Sequence, residues 1–168
     1  MGWFSRRASC EEVAVEIAEH CFSTAMGFLY DDERRQDELL ALTVVLYRLA
    51  IESYPIDSAR KARVLQTFDS EIDEYCDMEE LRSILVHRRR QYLDVLNSCI
   101  SGDRIQWGDF AKRVGFKLGQ FCMGADEEEQ VWVIGGFMSQ VEFSTDAAFL
   151  IKTAFTKTGS IIKSKKLT

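Results

Sequence analysis

Apolar side chains recur three and four positions apart along nearly the whole chain, a spacing that predicts helices and little else. Ser9 with Glu12 forms a capping-box pattern, and Val13, Ile17, Cys21, Ala25 and Phe28 then share one face, predicting a helix over about 10–29. The next periodic stretch, about 33–53, contains Leu39 to Tyr47 and is apolar on almost every side. Such a helix belongs in the middle of a bundle. Pro55, the one proline in the chain, ends it, and Asp57 caps a third helix on Leu65, Phe68, Ile72 and Tyr75. A fourth helix is expected over about 78–100 on Leu81, Leu85, Tyr92, Leu96 and Cys99. After the turn Ser101-Gly102-Asp103, a fifth follows over about 107–123, closed by Gly124.

Beyond Gly124 the pattern predicts a helix from Val131, bent or broken at Gly135-Gly136, and a restart at Ser144-Thr145-Asp146 into a last helix that Gly159 stops. The expectation is an all-α, single-domain bundle of five to seven helices around the apolar helix at about 33–53. Residues 1–8 read as a basic-aromatic arm, 9–158 as the bundle and 159–168 as a basic tail.

Composition adds a charge pattern. The chain is 46% hydrophobic and 29% charged, which is globular, with a net charge of −6. Arg6 and Arg7 place +2 at one end, and Lys157, Lys163, Lys165 and Lys166 place +4 at the other. A net −6 therefore leaves about −12 between them. That acidic middle disfavours nucleic acid as a partner. Five cysteines without C-x-x-C spacing read as buried thiols in a reducing compartment. With no signal-peptide pattern and no apolar run near membrane-spanning length, the expected location is cytoplasmic.

The third predicted helix carries Arg60, Lys61 and Arg63 at its positive end and Asp69, Glu71, Asp73 and Glu74 at its negative end, against the helix dipole. Something else has to reward that order: a neighbouring basic helix, a metal or a partner. Within it, Phe68 to Leu81 resembles an EF-hand loop, with Asp69, Glu71, Asp73, Asp77 and Glu80 at the oxygen-donor positions. The resemblance implies calcium binding. Glu74, however, stands where the sharp turn requires glycine, so the residues themselves favour a solvated acidic helix face.

Two arginines carry the other candidate chemistry. Arg48 and Glu52 lie one turn apart on the polar edge of the central helix, and Arg88 falls inside the apolar arc of the fourth, among Leu81, Leu85, Tyr92 and Val95. An arginine there requires a carboxylate, with Glu52 the first expected partner. If Arg48, Glu52 and Arg88 met in one cavity they would form an anion receptor or an enzyme site. The Ala111-Gly115-Gly119 spacing predicts close helix packing. His20 after Glu16 reads as a contact within one helix, and no catalytic triad or cofactor motif is present in the sequence.

At the ends, Trp3, Phe4, Arg6 and Arg7 with Lys163, Lys165 and Lys166 suit an acidic partner or weak contact with an anionic membrane surface. The functional expectation is a non-catalytic protein-interaction or adaptor domain acting on a protein partner or by self-association. The alternatives are a calcium-responsive module using 69–80 and a small-ligand receptor or enzyme with an arginine-lined cavity.

Overall fold

The computed structural model describes residues 8–28, 33–76, 79–101, 104–124 and 128–167, with the side chains of 33–34, 79–81 and 128–140 excepted. Among them are six helices: α1 (Cys10–Met26), α2 (Glu33–Ser53), α3 (Ser58–Tyr75), α4 (Glu79–Ser98), α5 (Trp107–Met123) and α6 (Glu128–Ser164). The fold is the expected all-α bundle.

Local chemistry sets the ends of several helices. The Ser9 hydroxyl accepts from the Glu12 amide at 3.1 Å while the Glu12 carboxylate accepts from the Ser9 amide at 2.8 Å, so the capping box closes in both directions. Asp57 caps α3 through the Arg60 amide at 2.9 Å. Gly124 ends α5 in the left-handed region at φ 65°, where a Cβ would be strained.

Helix α2 is the hub. Leu39, Leu42, Leu46, Tyr47 and Ile51 are fully enclosed, and all five other helices pack against it. Around it the neighbours follow the order α3, α1, α6, α5, α4. Each of these packs on the next, but α4 and α3 scarcely touch, so the coat around α2 stays open on that side. The tightest seam joins α5 and α6: a Cβ on Gly115 would lie 2.5 Å from the Ser144 Cα. Only glycine permits that approach, which makes the Gly115 position of the small-residue stripe a packing device.

Several expectations need correction. The first helix ends at Met26, before the expected boundary at 29. The fourth ends at Ser98, because Ile100–Ser101 pairs antiparallel with Arg104–Ile105 in a two-stranded ladder whose backbone groups then bond across the turn. Gly135-Gly136 does not break the chain: α6 runs unbroken for 37 residues. Glycine keeps its amide, so the pair costs about 2 kcal/mol of helix propensity without losing a hydrogen bond, less than the packing of α6 on its neighbours returns. Nor is there a restart at 144–146, since Thr145 turns its hydroxyl back onto the Val141 carbonyl at 2.7 Å.

The expected stop at Gly159 is also absent. Glycine there makes room for the Tyr54 ring, which would lie 3.3 Å from an added Cβ. The helix instead ends at Ser164 in a Schellman motif: the Leu167 amide reaches the Ile162 carbonyl at 3.2 Å, and the Lys166 amide reaches Lys163 at 3.1 Å. Ile161, Ile162 and Leu167 are buried, so three apolar residues of the segment expected as a basic tail contribute to the core, while Lys163 and Lys166 stay exposed. No helix of the described residues is long and apolar enough to cross a membrane.

Candidate functional site

The opening between α3 and α4 exposes the polar edge of α2 and gathers several of the charged residues picked out in the sequence. It forms a crevice of about 240 Å³ that includes Val44, Val45, Ile72 and Leu85, with Arg48, Asp69 and Asp73 on one side and Val86 and Arg89 on the other. Arg48 Nη1 donates to both carboxylate oxygens of Asp69 on α3, and its Nε lies 3.2 Å from Glu52 Oε1. Arg89 of α4 approaches the same Glu52 oxygen at 3.9 Å.

Contacts with neighbouring helices answer part of the inverted charge order of α3. The Asp69 charge near its negative end meets Arg48 of α2, and Arg82 of α4 donates to the Asp73 carbonyl at 2.8 Å. At its positive end, Lys61 reaches the Glu52 carbonyl at 2.7 Å and Arg60 the Leu167 carbonyl at 2.9 Å, so both cations bind the electron-rich ends of other helices. Neighbouring helices thus compensate Asp69, Lys61 and Arg60.

Arg88 does not share this crevice. Its Nε and Nη2 grip the Glu38 carboxylate at 2.7 and 2.6 Å, its Nη1 donates to Gln91 at 2.8 Å, and its guanidinium stacks 3.6 Å above the Phe121 ring. The expectation of a carboxylate partner was right in kind and wrong in identity: Glu38, not Glu52. Glu38 and Glu52 lie 14 residues apart on α2, about 21 Å along its axis. Consecutive arginines of α4 thus reach opposite halves of α2, and the single cavity lined by Arg48, Glu52 and Arg88 does not form.

Next to this pair, burial pushes the Tyr92 phenol well above its ordinary range, with Glu38 and Cys122 adding to the shift and Arg88 opposing it. Its hydroxyl is enclosed and makes no hydrogen bond. A second, partly exposed network links α2 to α6, where Arg35 bonds Glu142 at 2.7 Å, lies 3.7 Å from Asp146 and stacks 4.6 Å from the Phe143 ring.

The EF-hand-like segment does not form a loop over its first half. Asp69, Glu71 and Asp73 sit on α3, whose regular turns separate Glu71 from the Asp69–Asp73 face, and Asp69 is bound by Arg48. Asp77 and the Glu80 side chain lie outside the described residues, as do Trp3, Phe4, Arg6 and Arg7. At the other end, Lys165 pairs with Glu16 at 3.0 Å, while Lys163 and Lys166 are exposed. All five cysteines are free, and four of them, Cys21, Cys76, Cys99 and Cys122, are buried.

The sequence places Arg90 on the outer face of the fourth helix, but Glu38, Val86 and a binding role for the outer arginines of α4 were not read from it. Glu38 precedes Leu42 and Val45 by one and two turns and so sits in the buried stripe, a signal that was available. Val86 is 76% exposed, the most exposed large hydrophobic side chain among the described residues. With Arg82, Arg89 and Arg90 at helical spacing on either side, it centres an apolar spot in a cationic stripe along the open edge of the crevice. His87 and Ser83 extend that surface. No family model matches this chain, and neither the curated proteins nor the solved structures contain one similar to it.

Proposed function

We propose that this chain is a non-catalytic helical interaction domain that engages an acidic amphipathic segment of a protein partner along the outer face of α4. The observation that carries this reading is the placement of Val86, 76% exposed between Arg82, Arg89 and Arg90, beside the opening that the described residues leave between α3 and α4. An exposed apolar anchor ringed by cations, in a protein of net charge −6, favours an anionic partner with one apolar side chain for the crevice. Catalysis has less support, because the internal arginines Arg48 and Arg88 are committed to carboxylates of the fold. Five free thiols are in keeping with a cytoplasmic location.

A photo-activatable residue at position 86, compared with one at the exposed position Lys112 on α5, tests the reading in living cells. Crosslinked peptides rich in Asp and Glu are expected from position 86 alone, and they should disappear in an Arg89→Glu, Arg90→Glu variant. Equal capture at both positions, or capture indifferent to those reversals, would contradict it.

A further inference from the structure

A second concave surface lies between α1 and α6 and shares no residue with the α3–α4 crevice. This groove of about 620 Å³ falls within the range of small-molecule sites. Its aromatic wall is built by Phe28 and Phe149, whose rings meet edge to face at 5.8 Å, and Phe149 is 55% exposed. Its other end carries His20 and Lys157, neither of which has an ion-pair partner among the described residues.

The remaining polar groups point to the sign of the ligand. Asp146 also lines the groove, but its carboxylate lies 3.7 Å from Arg35 and its charge is engaged there. The Thr24 hydroxyl spends its proton on the His20 carbonyl at 2.7 Å and shares a 2.8 Å bond with the Tyr47 hydroxyl, so it offers no free donor. The one charged group of the groove left without an ion-pair partner among the described residues is the Lys157 ammonium, and the His20 ring lies at the same end. Phe149 and Lys157 are eight residues apart on one helix, about 12 Å along its axis, and the long lysine side chain shortens that reach.

We propose that the α1–α6 groove binds a flat aromatic anion, an aryl carboxylate, sulfonate or phosphate, with its rings against Phe28 and Phe149 and its charge on Lys157, beside the His20 ring. Stacking area supplies most of the contact, and the charge-assisted bond to Lys157 fixes orientation and selects anions over neutral rings.

Two fluorescent probes separate these contributions: 1-anilinonaphthalene-8-sulfonate and its uncharged analogue N-phenyl-1-naphthylamine, titrated into the folded full-length chain. The sulfonate is expected to bind one site per chain, weakened roughly tenfold in Lys157→Gln, with the neutral probe indifferent to that change. Phe149→Ala should weaken both. Lys157 and Phe149 are exposed, so both variants should keep the parent melting temperature, which is measured alongside, and Lys112→Gln should leave both probes unaffected. The proposal is overturned if the sulfonate does not bind at one site, if Lys157→Gln weakens the two probes equally or neither, or if Lys112→Gln is as damaging as Lys157→Gln.

Discussion

Glu38 of α2 and Arg88 of α4 form a two-point ion pair at 2.6 and 2.7 Å, with the carboxylate side chain only 4% exposed and the guanidinium 16%. Taking either charge out of water is expensive, and the pair stands because each partner answers the other with paired hydrogen bonds. Removing one leaves the other stranded. Arg88→Ala and Glu38→Gln should each cost about 3 kcal/mol, whereas Arg90→Ala on the outer face should cost under about 0.5 kcal/mol. In a double-mutant cycle, Glu38→Leu with Arg88→Met should recover most of the loss, and strictly additive losses in urea unfolding would refute the pairing.

Tyr92 gives a prediction of opposite sign. Its buried hydroxyl makes no hydrogen bond, so Tyr92→Phe removes an unsatisfied polar group and should be neutral or stabilising by up to about 1 kcal/mol. The same burial raises the ionisation of Tyr92 and of Cys21 above their ordinary 10.0 and 9.0. An acid whose folded value is raised contributes stability that is whole below the unfolded value and is lost as pH rises through the folded one. Melting temperature should therefore decline above about pH 9, more gently in Tyr92→Phe. A flat profile to pH 11 would contradict the burial of both groups.

At the α5–α6 seam the obstruction facing Gly115 is backbone, Ser144 Cα at 2.5 Å from an added Cβ, and backbone cannot swing aside. Gly115→Ala should therefore destabilise by about 2 kcal/mol as the helices part. Gly159→Ala meets only the Tyr54 ring at 3.3 Å, and its gain in helix propensity offsets the adjustment, so it should fall within about 1 kcal/mol of the parent. Thermal denaturation of the two variants checks the contrast; equal effects would mean that the close seam is not where the structure puts it.

Truncation after Gly159 removes Ile161, Ile162 and Leu167 from the core, together with the Lys165–Glu16 bridge and the carbonyl that Arg60 binds. A loss of at least about 4 kcal/mol is expected from the apolar burial alone. A truncated chain with unchanged stability would restore the reading of this segment as a loose tail.

Most of the fold was legible in the sequence because helix periodicity and end chemistry are local. Ser9 with Glu12, Asp57, Pro55 and Gly124 act within a few residues, and α2 emerged with its observed limits, Glu33–Ser53. The misreadings came where a local signal met a distant partner. Gly159 reads as a stop until Tyr54 packs against it, and Ser144 reads as a cap until Gly115 brings α5 onto it. The candidate site divides in the same way. Arg48 with Glu52 is a one-turn relation and was found, but Glu38 answers Arg88 across 50 residues of chain, and which carboxylate arrives there is decided by packing. The opening between α3 and α4 is a property of how five helices surround a sixth, and no window of sequence contains it.

The most direct test of the interaction reading is a titration of the isotope-labelled protein, followed by amide NMR, with an acidic amphipathic helical peptide and with its charge-reversed twin carrying the same apolar residues. The acidic peptide alone is expected to move resonances centred on Val86, Arg89, Arg90 and Val45, with an affinity that falls as salt rises and is lost in Val86→Glu. Equal binding of the two peptides, shifts centred away from α4, or no binding by the acidic peptide would contradict it.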